Sequence, residues 1–234
     1  MKWLETKDDC MRNVKRELLI RKEETNSLIC FVKHLEESFL LETGVEYNVM
    51  TVKTSMKANI ILMLYNAVES TLTKSLEKVH EKIKEQRLNY ADLCIEIRKI
   101  LAVYYGYSME KSSNVNTAME YVLQLADFIN GNICFDISYK ELIQKYPMYS
   151  GNLDSREIKT VLKRYGIVYD ERCSELKTIK DDRNKLAHGE DSFEEIGRNL
   201  SIPQLEEMAN RTFEYLEKMV KEIECYLDEE KYRV

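Results

Sequence analysis

The run MKANIILMLYNAVESTLTKSLEKVHEKI, at residues 56–83, carries the helical pattern on which the prediction of the fold class rests. Its apolar residues recur at spacings of three and four, which places them on one face of an α-helix. The run therefore predicts a long helix over about residues 51–86. The predicted buried stripe comprises Met56, Ile60, Leu64, Ala67, Val68, Thr71, Leu76, Val79 and Ile83.

Helical patterns continue on both sides of this run. The sequence holds only seven glycines and two prolines, too few for the many turns of an all-β fold. We therefore predict an all-α fold, an antiparallel helical bundle that occupies residues 1–234 as one domain. The other expected helices lie at about 5–42, from the N-cap Asn89 through Tyr104, at about 117–129 and at about 168–188. The last of these is expected to stop at Gly189, and a loop at 190–199 follows it. A final helix begins after that loop, with a capping box of Ser201 and Gln204 and with Pro203 in its first turn.

The least bundle-like part of the chain lies at about residues 107–166. It begins in a polar stretch, 106–116, that is expected to be a loop, and it includes two short helical patterns. The run ICFDIS, residues 133–138, alternates apolar and polar residues and is the single strand candidate. We predict that residues 107–166 form a small inserted α or α/β segment between two halves of the bundle.

Composition limits the classes of function. The six cysteines form no C-x-x-C pair, and no metal-ligand cluster or glycine-rich phosphate loop is present, so we predict reduced thiols and neither a metal nor a cofactor. No apolar run is long enough to cross a membrane and the N-terminus does not resemble a secretory signal, so a cytoplasmic location without a membrane partner is expected. The net charge of −6 disfavours a general RNA-coating protein but permits an enzyme with a confined cleft.

The run RNKLAHG, residues 183–189, carries the chemistry. Arg183 can hold phosphate oxygens with a permanently charged fork, and His188 can give or take a proton near neutral pH. Asn184 lies four residues before His188 and shares its helix face, so it can orient the imidazole or contact phosphate. Lys185 either binds the RNA backbone or is simply solvated. An arginine and a histidine near a helix end are also common without any function, because cations are favoured there.

Three segments together resemble the HEPN superfamily, and specifically its bacterial MAE-type group. They are KANIILMLYNAVESTL at 57–72, SGNLDSREIKTVLKRYGI at 150–167 and IKDDRNKLAHGEDSFEEIG at 179–197. The resemblance covers most of the chain and implies a helical bundle that is commonly a homodimer. Many members are metal-independent ribonucleases marked by an arginine followed, after four to six intervening residues, by a histidine, with a polar residue directly after the arginine. Arg183, Asn184 and His188 match these positions, so the resemblance implies that they are catalytic.

The resemblance further implies a toxin, phage-defence or RNA-processing role, with RNA as the substrate. An antitoxin or a defence-complex protein is the expected protein partner. In some HEPN toxins a tyrosine two residues after the motif histidine is adenylylated, but this chain has Glu190 there. A non-catalytic helical dimerisation and interaction module is the alternative, since inactive members also exist.

Helix geometry adds an argument for the dimer. Residues five apart on a helix differ by about 140° around the axis and about 7.5 Å along it, so Arg183 and His188 of one chain do not converge on one atom. Two copies meeting across a two-fold axis would pool both pairs in one cleft. Glu69 either supports the site by pairing with Arg183 or His188 across the bundle, or faces solvent. His34 and His80 lie in Lys- and Glu-rich stretches and are expected at the surface.

Overall fold

The computed structural model describes residues 10–37, 49–110 and 115–234. These residues form α-helices and a short 3-10 turn at Tyr90–Asp92, and within them no β-strand is present beyond one isolated bridge between Leu93 and Arg233. The predicted all-α class is confirmed. The helices are α1 (Arg12–Glu37), α2 (Val49–Glu85), α3 (Ile95–Glu110), α4 (Val115–Ile129), α5 (Tyr139–Lys145), α6 (Ser155–Arg164), α7 (Glu175–His188), α8 (Phe193–Arg198) and α9 (Ile202–Asp228).

Helix α2 lies at the centre of the bundle, where α1, α7, α8 and α9 pack around it. Its predicted stripe is buried, with only Met56 partly exposed. Leu64, Leu72 and Val79 are fully removed from water. Each such side chain contributes about 1.5–3 kcal/mol relative to an exposed one, so burial of this stripe is the main reason the bundle closes.

Helix α1 runs antiparallel to both α2 and α9. Two ion pairs link α1 to α9 in reverse order, Lys22 with Glu217 at 2.7 Å and Lys33 with Glu206 at 3.0 Å. Arg21 donates a hydrogen bond of 3.1 Å to Ser70 on α2. Exposed ion pairs of this kind contribute little stability. Their reversed order along the two helices shows that α1 and α9 run in opposite directions.

The contact between α8 and α2 depends on a glycine. A side-chain carbon added to Gly197 would lie 1.9 Å from the backbone oxygen of Thr54. No real pair of atoms approaches that closely, so any side chain at this position would push α8 away from α2. The short helix is held to the N-terminal half of α2 by the absence of that side chain.

Several expectations about local structure were wrong. The expected loop at 190–199 contains α8, whose Ser192 and Glu195 form a capping box that the sequence already displayed. The expected loop at 106–116 is helical through residue 110 and again from 115, as the ends of α3 and the start of α4. The ICFDIS run forms no strand, because its backbone pairs with loops and helix side chains instead of a neighbouring strand. Residues 168–174 precede α7 as non-helical chain, and Asn89 caps the 3-10 turn before α3.

Other end signals are confirmed. The Ser201 and Gln204 box starts α9, and Gly189 ends α7 with a left-handed φ of 68°. The predicted first helix is observed as α1, while its expected portions in 1–9 and 38–48 lie outside the described residues. None of the helices in the described part of the chain is both long and apolar enough to cross a membrane.

The segment 107–166 behaves in two ways. Its first helix, α4, leaves much of its apolar surface in water. From Phe128 to Tyr165, by contrast, apolar side chains join the same core cluster as α2. The status of this segment as an insertion stays a prediction, but its second part is built into the common core and is not a detachable appendage.

Candidate functional site

Arg183 is held against an aromatic ring. Its guanidinium carbon lies 4.4 Å from the centre of the Tyr65 ring of α2, and its side chain is half-buried. One terminal nitrogen, Nη1, donates a hydrogen bond of 3.0 Å to Oδ1 of Asn184. A cation over an aromatic face is attracted by about 0.5–2 kcal/mol, so the guanidinium is positioned before any ligand arrives.

Tyr65 anchors a loop as well as the arginine. Its side chain is 1% exposed, and its hydroxyl donates to the carbonyl of Gly151 at 2.5 Å while accepting the backbone N–H of Leu153 at 3.3 Å. Burial away from water raises the pKa of Tyr65, and the negative charge of Glu69 raises it further. The phenol therefore stays neutral near pH 7 and serves as a fixed platform.

The loop at 151–154 runs beside α7 and is tied to it twice. Nδ2 of Asn184 donates to Oδ1 of Asn152 at 2.7 Å, and Lys180 pairs with Asp154 at 3.0 Å. Asp154 also caps α6 by accepting two backbone N–H groups. Burial by itself would raise the pKa of Asp154, but Lys180 and those N–H groups outweigh it and hold the pKa below its ordinary value. Arg183, Asn184 and the loop thus form one connected polar network.

His188 stands at the open end of this network. It is the last residue of α7 and is exposed, and the chain turns away at once through Gly189. Among the residues that the structure describes, His188 has no hydrogen-bond or ion-pair partner, and Arg183 does not contact it. Asn184 precedes it by one helical turn on the same face. The imidazole is therefore available to a ligand or to a second copy of the chain.

Lys185 and Glu69 are placed differently from these three residues. Lys185 forms an ion pair of 3.0 Å with Asp191, whose hydrogen bond and charge raise the pKa of the lysine. Glu69 is half-buried on α2, one turn beyond Tyr65, and borders a surface cavity of 370 Å³ together with Arg21 and Thr73. Within the described residues it makes no ion pair with Arg183 or His188. Its effect on the site is electrostatic, because its negative charge adds to burial in raising the pKa of Tyr65.

Sequence reasoning missed two members of the site. Tyr65 and Asn152 both lie in segments that carried the HEPN resemblance, but neither is chemically reactive and neither is close to Arg183 in the chain. The sequence marked Tyr65 only as an aromatic residue with a hydroxyl group among the aliphatic residues of the central helix. For Asn152 the sequence offered only its position in a Ser-Gly-Asn turn.

No group of three or more histidine, cysteine, aspartate or glutamate side chains that could hold a metal ion occurs in 10–37, 49–110 or 115–234. The cysteines in those ranges are free thiols. Of the two histidines expected at the surface, His34 is exposed, whereas His80 is 2% exposed and buried.

Comparison with known proteins gives one match. The family model for MAE_28990-like HEPN matches residues 11–232, which is nearly the whole chain. No curated protein and no solved structure matches the chain.

Proposed function

This chain belongs to the MAE_28990-like HEPN family, and on that premise we propose that it is a metal-independent endoribonuclease that acts at the C-terminal end of α7. The observation that carries the proposal is the contrast between two basic residues of α7. Arg183 is fixed by Tyr65 and Asn184, while His188 is exposed and unpartnered among the described residues. A fixed phosphate-binding group beside an available acid or base is what phosphodiester cleavage requires.

The proposed reaction is transesterification within the RNA. One His188 imidazole accepts the proton of a ribose 2′-hydroxyl as that oxygen attacks the adjacent phosphorus. A bond forms between the 2′-oxygen and phosphorus, and the bond from phosphorus to the 5′-oxygen breaks. A second imidazole, in its protonated form, gives its proton to the leaving 5′-oxygen. The products are a 2′,3′-cyclic phosphate and a 5′-hydroxyl, and no net proton is consumed.

Arg183 would stabilise the negative charge that gathers on the non-bridging oxygens in the transition state. The tyrosine ring and the Asn184 amide hold the guanidinium in place, so little reorganisation accompanies the reaction. Asn184 would direct the imidazole of His188 or contact the same phosphate. Lys185, already paired with Asp191, would contribute at most a long-range attraction for RNA.

A homodimer supplies the second histidine in this scheme. Arg183 and His188 of one chain lie about 140° apart around α7, so one copy presents them in different directions. Two copies related by a two-fold axis near the end of α7 would pool two arginines and two histidines in one cleft. Solution scattering at micromolar protein should therefore report a dimer.

The decisive experiment is cleavage of tRNA and of a defined RNA oligonucleotide by the purified protein in the presence of EDTA, with the product ends mapped. Wild-type protein should yield 2′,3′-cyclic phosphate ends, and Arg183→Ala and His188→Ala should each abolish cleavage. The matched control is His34→Ala, because His34 is also an exposed helical histidine but lies on α1. If His188→Ala cleaves as well as wild type, the nuclease proposal fails.

We propose further that this activity operates in a toxin–antitoxin or phage-defence system in the cytoplasm, with an antitoxin or defence-complex protein as its regulator. Glu190 stands where some HEPN toxins carry the adenylylated tyrosine, so inhibition would occur by binding over the α7 end rather than by that modification. Expression of wild-type protein should arrest cell growth, and His188→Ala should not. Growth unaffected by an active wild-type enzyme would argue against the toxin role.

The second candidate is a non-catalytic dimerisation and interaction module, and one observation favours it. Helix α4 exposes Val115, Met119, Val122 and Leu123 by 72%, 58%, 52% and 63%, at helical spacings that place them on one face. Apolar faces of this kind mark protein-binding surfaces. Absence of cleavage by wild-type protein, combined with loss of assembly in a Val122→Glu variant, would favour this function over the nuclease.

A further inference from the structure

A second cationic surface lies at the opposite end of α7. A cleft of 790 Å³ opens between the N-terminal ends of α6 and α7 and the chain that joins these helices. Four basic side chains border it, together with the carboxylates of Asp154, Asp170 and Glu171. The basic residues are Arg156, Lys159, Arg172 and Lys177.

The carboxylates of this cleft already have cationic partners. Asp154 is bound by Lys180 at 3.0 Å, Asp170 is bound by Lys159, and Glu171 is bound by Lys218 at 3.1 Å. Lys180 and Lys218 each have one more carboxylate nearby, Asp181 at 3.6 Å and Glu214 at 3.2 Å.

Two further cationic side chains make no hydrogen bond or ion pair among the residues that the structure describes. They belong to Arg172 and Lys177, which are both exposed. Asp170 is bound by Lys159, which lowers the pKa of that carboxyl, and the charge of Arg172 adds a smaller effect in the same direction. Arg156 has only a long contact of 3.6 Å with Asp154, and its side chain is 84% exposed. In a chain of net charge −6 this is a local excess of available positive charge. An unpaired guanidinium and ammonium beside a cleft are suited to bind phosphate.

The cleft is aligned with the proposed reaction centre. Lys177, Asn184 and His188 are spaced by seven and four residues, which leaves them within about 40° of one another around α7. Lys177 is separated from His188 by about 16 Å along the axis. Between these two places the loop of Asn152 and Asp154 is bonded to α7 at Asn184 and Lys180, and Asp154 also borders the cleft, so this loop adjoins both of them.

We propose that this cleft binds the backbone phosphates of the RNA substrate on one side of the cleaved bond, with Arg172 and Lys177 as the contacting groups. A distance of about 16 Å corresponds to roughly five nucleotides of a stacked strand at about 3.4 Å each, and to fewer in an extended strand. The proposal rests on the proposed ribonuclease function. It adds that the enzyme prefers RNA long enough to reach from His188 to the cleft.

The test compares a dinucleotide with a 12-nucleotide RNA as substrates for the Arg172→Ala/Lys177→Ala double variant. Cleavage of the dinucleotide should stay within about twofold of wild type, because it cannot reach the cleft. Cleavage of the longer RNA, measured as kcat/KM, should fall by about 10-fold or more, since each lost phosphate contact weakens binding regardless of sequence. Placing the extra nucleotides on the 5′ or the 3′ side of the cleavage site identifies which side enters the cleft.

The matched control is Lys140→Ala. Lys140 is an exposed lysine on α5, beside Tyr139, which packs against His80. His80 lies fifteen residues beyond Tyr65 on α2, about 22 Å along the helix axis from that member of the candidate site. This control should leave both substrates unaffected. Equal losses on the two RNAs in the double variant, or no loss on the longer RNA, would overturn the cleft proposal.

A binding measurement separates this proposal from the proposed catalysis. Fluorescence anisotropy of a 12-nucleotide RNA with 2′-O-methyl groups reports binding without any cleavage. The wild-type affinity should fall as the salt concentration rises. The slope of log K against the logarithm of the salt concentration should be smaller in magnitude by about 1.4 for the double variant, the value for two lost phosphate contacts on a single strand. A wild type that binds but cleaves no RNA would end the nuclease proposal alone. Identical binding by wild type and double variant would end the cleft proposal alone.

Discussion

Helix α2 contributes to two polar clusters, one around His80 and one around Tyr65. They differ in whether all of their hydrogen bonds are made inside the protein. Around His80 every hydrogen bond of the imidazole is made inside the protein, with the Ile137 carbonyl at 2.7 Å and the Tyr165 hydroxyl at 2.9 Å. Around Tyr65 the contacts run outward through Arg183 and Asn184 to the surface, where His188 has no hydrogen-bond or ion-pair partner among the residues that the structure describes.

The two histidines therefore differ in what they contribute to stability and in their access to a ligand. A buried polar group with all partners satisfied stabilises and orders the core, whereas losing one partner costs about 1–3 kcal/mol. An exposed imidazole without a partner adds nothing to the fold and is free to meet a ligand. Residue type alone does not distinguish the two, since both histidines lie on helices within charged sequence.

Exchanging the two histidines for alanine should give opposite outcomes, and this is the largest effect we expect. His188→Ala should lower the cleavage rate by about 10²–10⁴-fold, the usual contribution of a general acid or base, with an unchanged melting temperature. His80→Ala should instead lower the free energy of unfolding by about 2–4 kcal/mol, through a cavity and two lost hydrogen bonds. The measurements are product formation on an RNA oligonucleotide and denaturant unfolding of both variants. A lower stability of His188→Ala would contradict the prediction that this histidine, unlike His80, does not stabilise the fold.

Acid should weaken the closed cluster. Burial lowers the pKa of His80 to about 4, even though its hydrogen bond to Ile137 acts in the opposite direction. In the unfolded chain this histidine has its ordinary pKa of about 6.5, so the unfolded state takes up the proton first as pH falls. The stabilisation is fully present above pH 6.5 and declines as pH falls towards 4, by about 3 kcal/mol in total.

The measurement for this prediction is denaturant unfolding at several pH values between 7.5 and 4. His80→Gln provides the reference, because glutamine gains no proton in that range. The wild type should lose more stability than this variant over the window. Parallel curves for the two proteins would show that His80 does not titrate differently on folding.

Tyr65 links the open cluster to the core, and two substitutions separate its ring from its hydroxyl. Tyr65→Leu removes the aromatic face beneath Arg183 and should reduce cleavage by about 3- to 30-fold, the range of a cation–π interaction. Tyr65→Phe keeps that face but frees Gly151 and Leu153, and should cost about 0.5–1.5 kcal/mol of stability with a smaller loss of cleavage. If both variants lose cleavage equally, the hydroxyl rather than the ring positions the arginine.

Asn152→Ala should produce the smallest change. It removes one exposed hydrogen bond to Asn184, while Lys180 and Asp154 still tie the loop to α7. We expect a loss of cleavage of about twofold to fivefold, as for a net hydrogen-bond contribution near 0.5–1 kcal/mol. Steady-state kinetics on the longer RNA give the value, and a loss as large as that of Arg183→Ala would place Asn152 among the reacting groups.

The amino-acid sequence alone was sufficient to predict the all-α class, the central helix, the C-terminal end of α7 and the start of α9. These features follow from apolar spacing and from capping residues three or four positions apart, which interact within one helix whatever the rest of the chain does. The capping box of Ser192 and Glu195 was equally legible and should have predicted α8. Arg183, Asn184 and His188 were predicted as site residues from their chemistry, their spacing along one helix and the HEPN resemblance, and this assignment stays a prediction.

The partners that these side chains contact could be identified only from the packed bundle. It placed the Tyr65 ring beneath Arg183, brought Asn152 to Asn184, and sealed His80 beneath Phe135 and Tyr165. These contacts join residues far apart in the chain, and each depends on how the helices cross when the apolar stripes pack. Local spacing carries no information on those crossings, because burial and partner choice are properties of the packed bundle and not of any single helix.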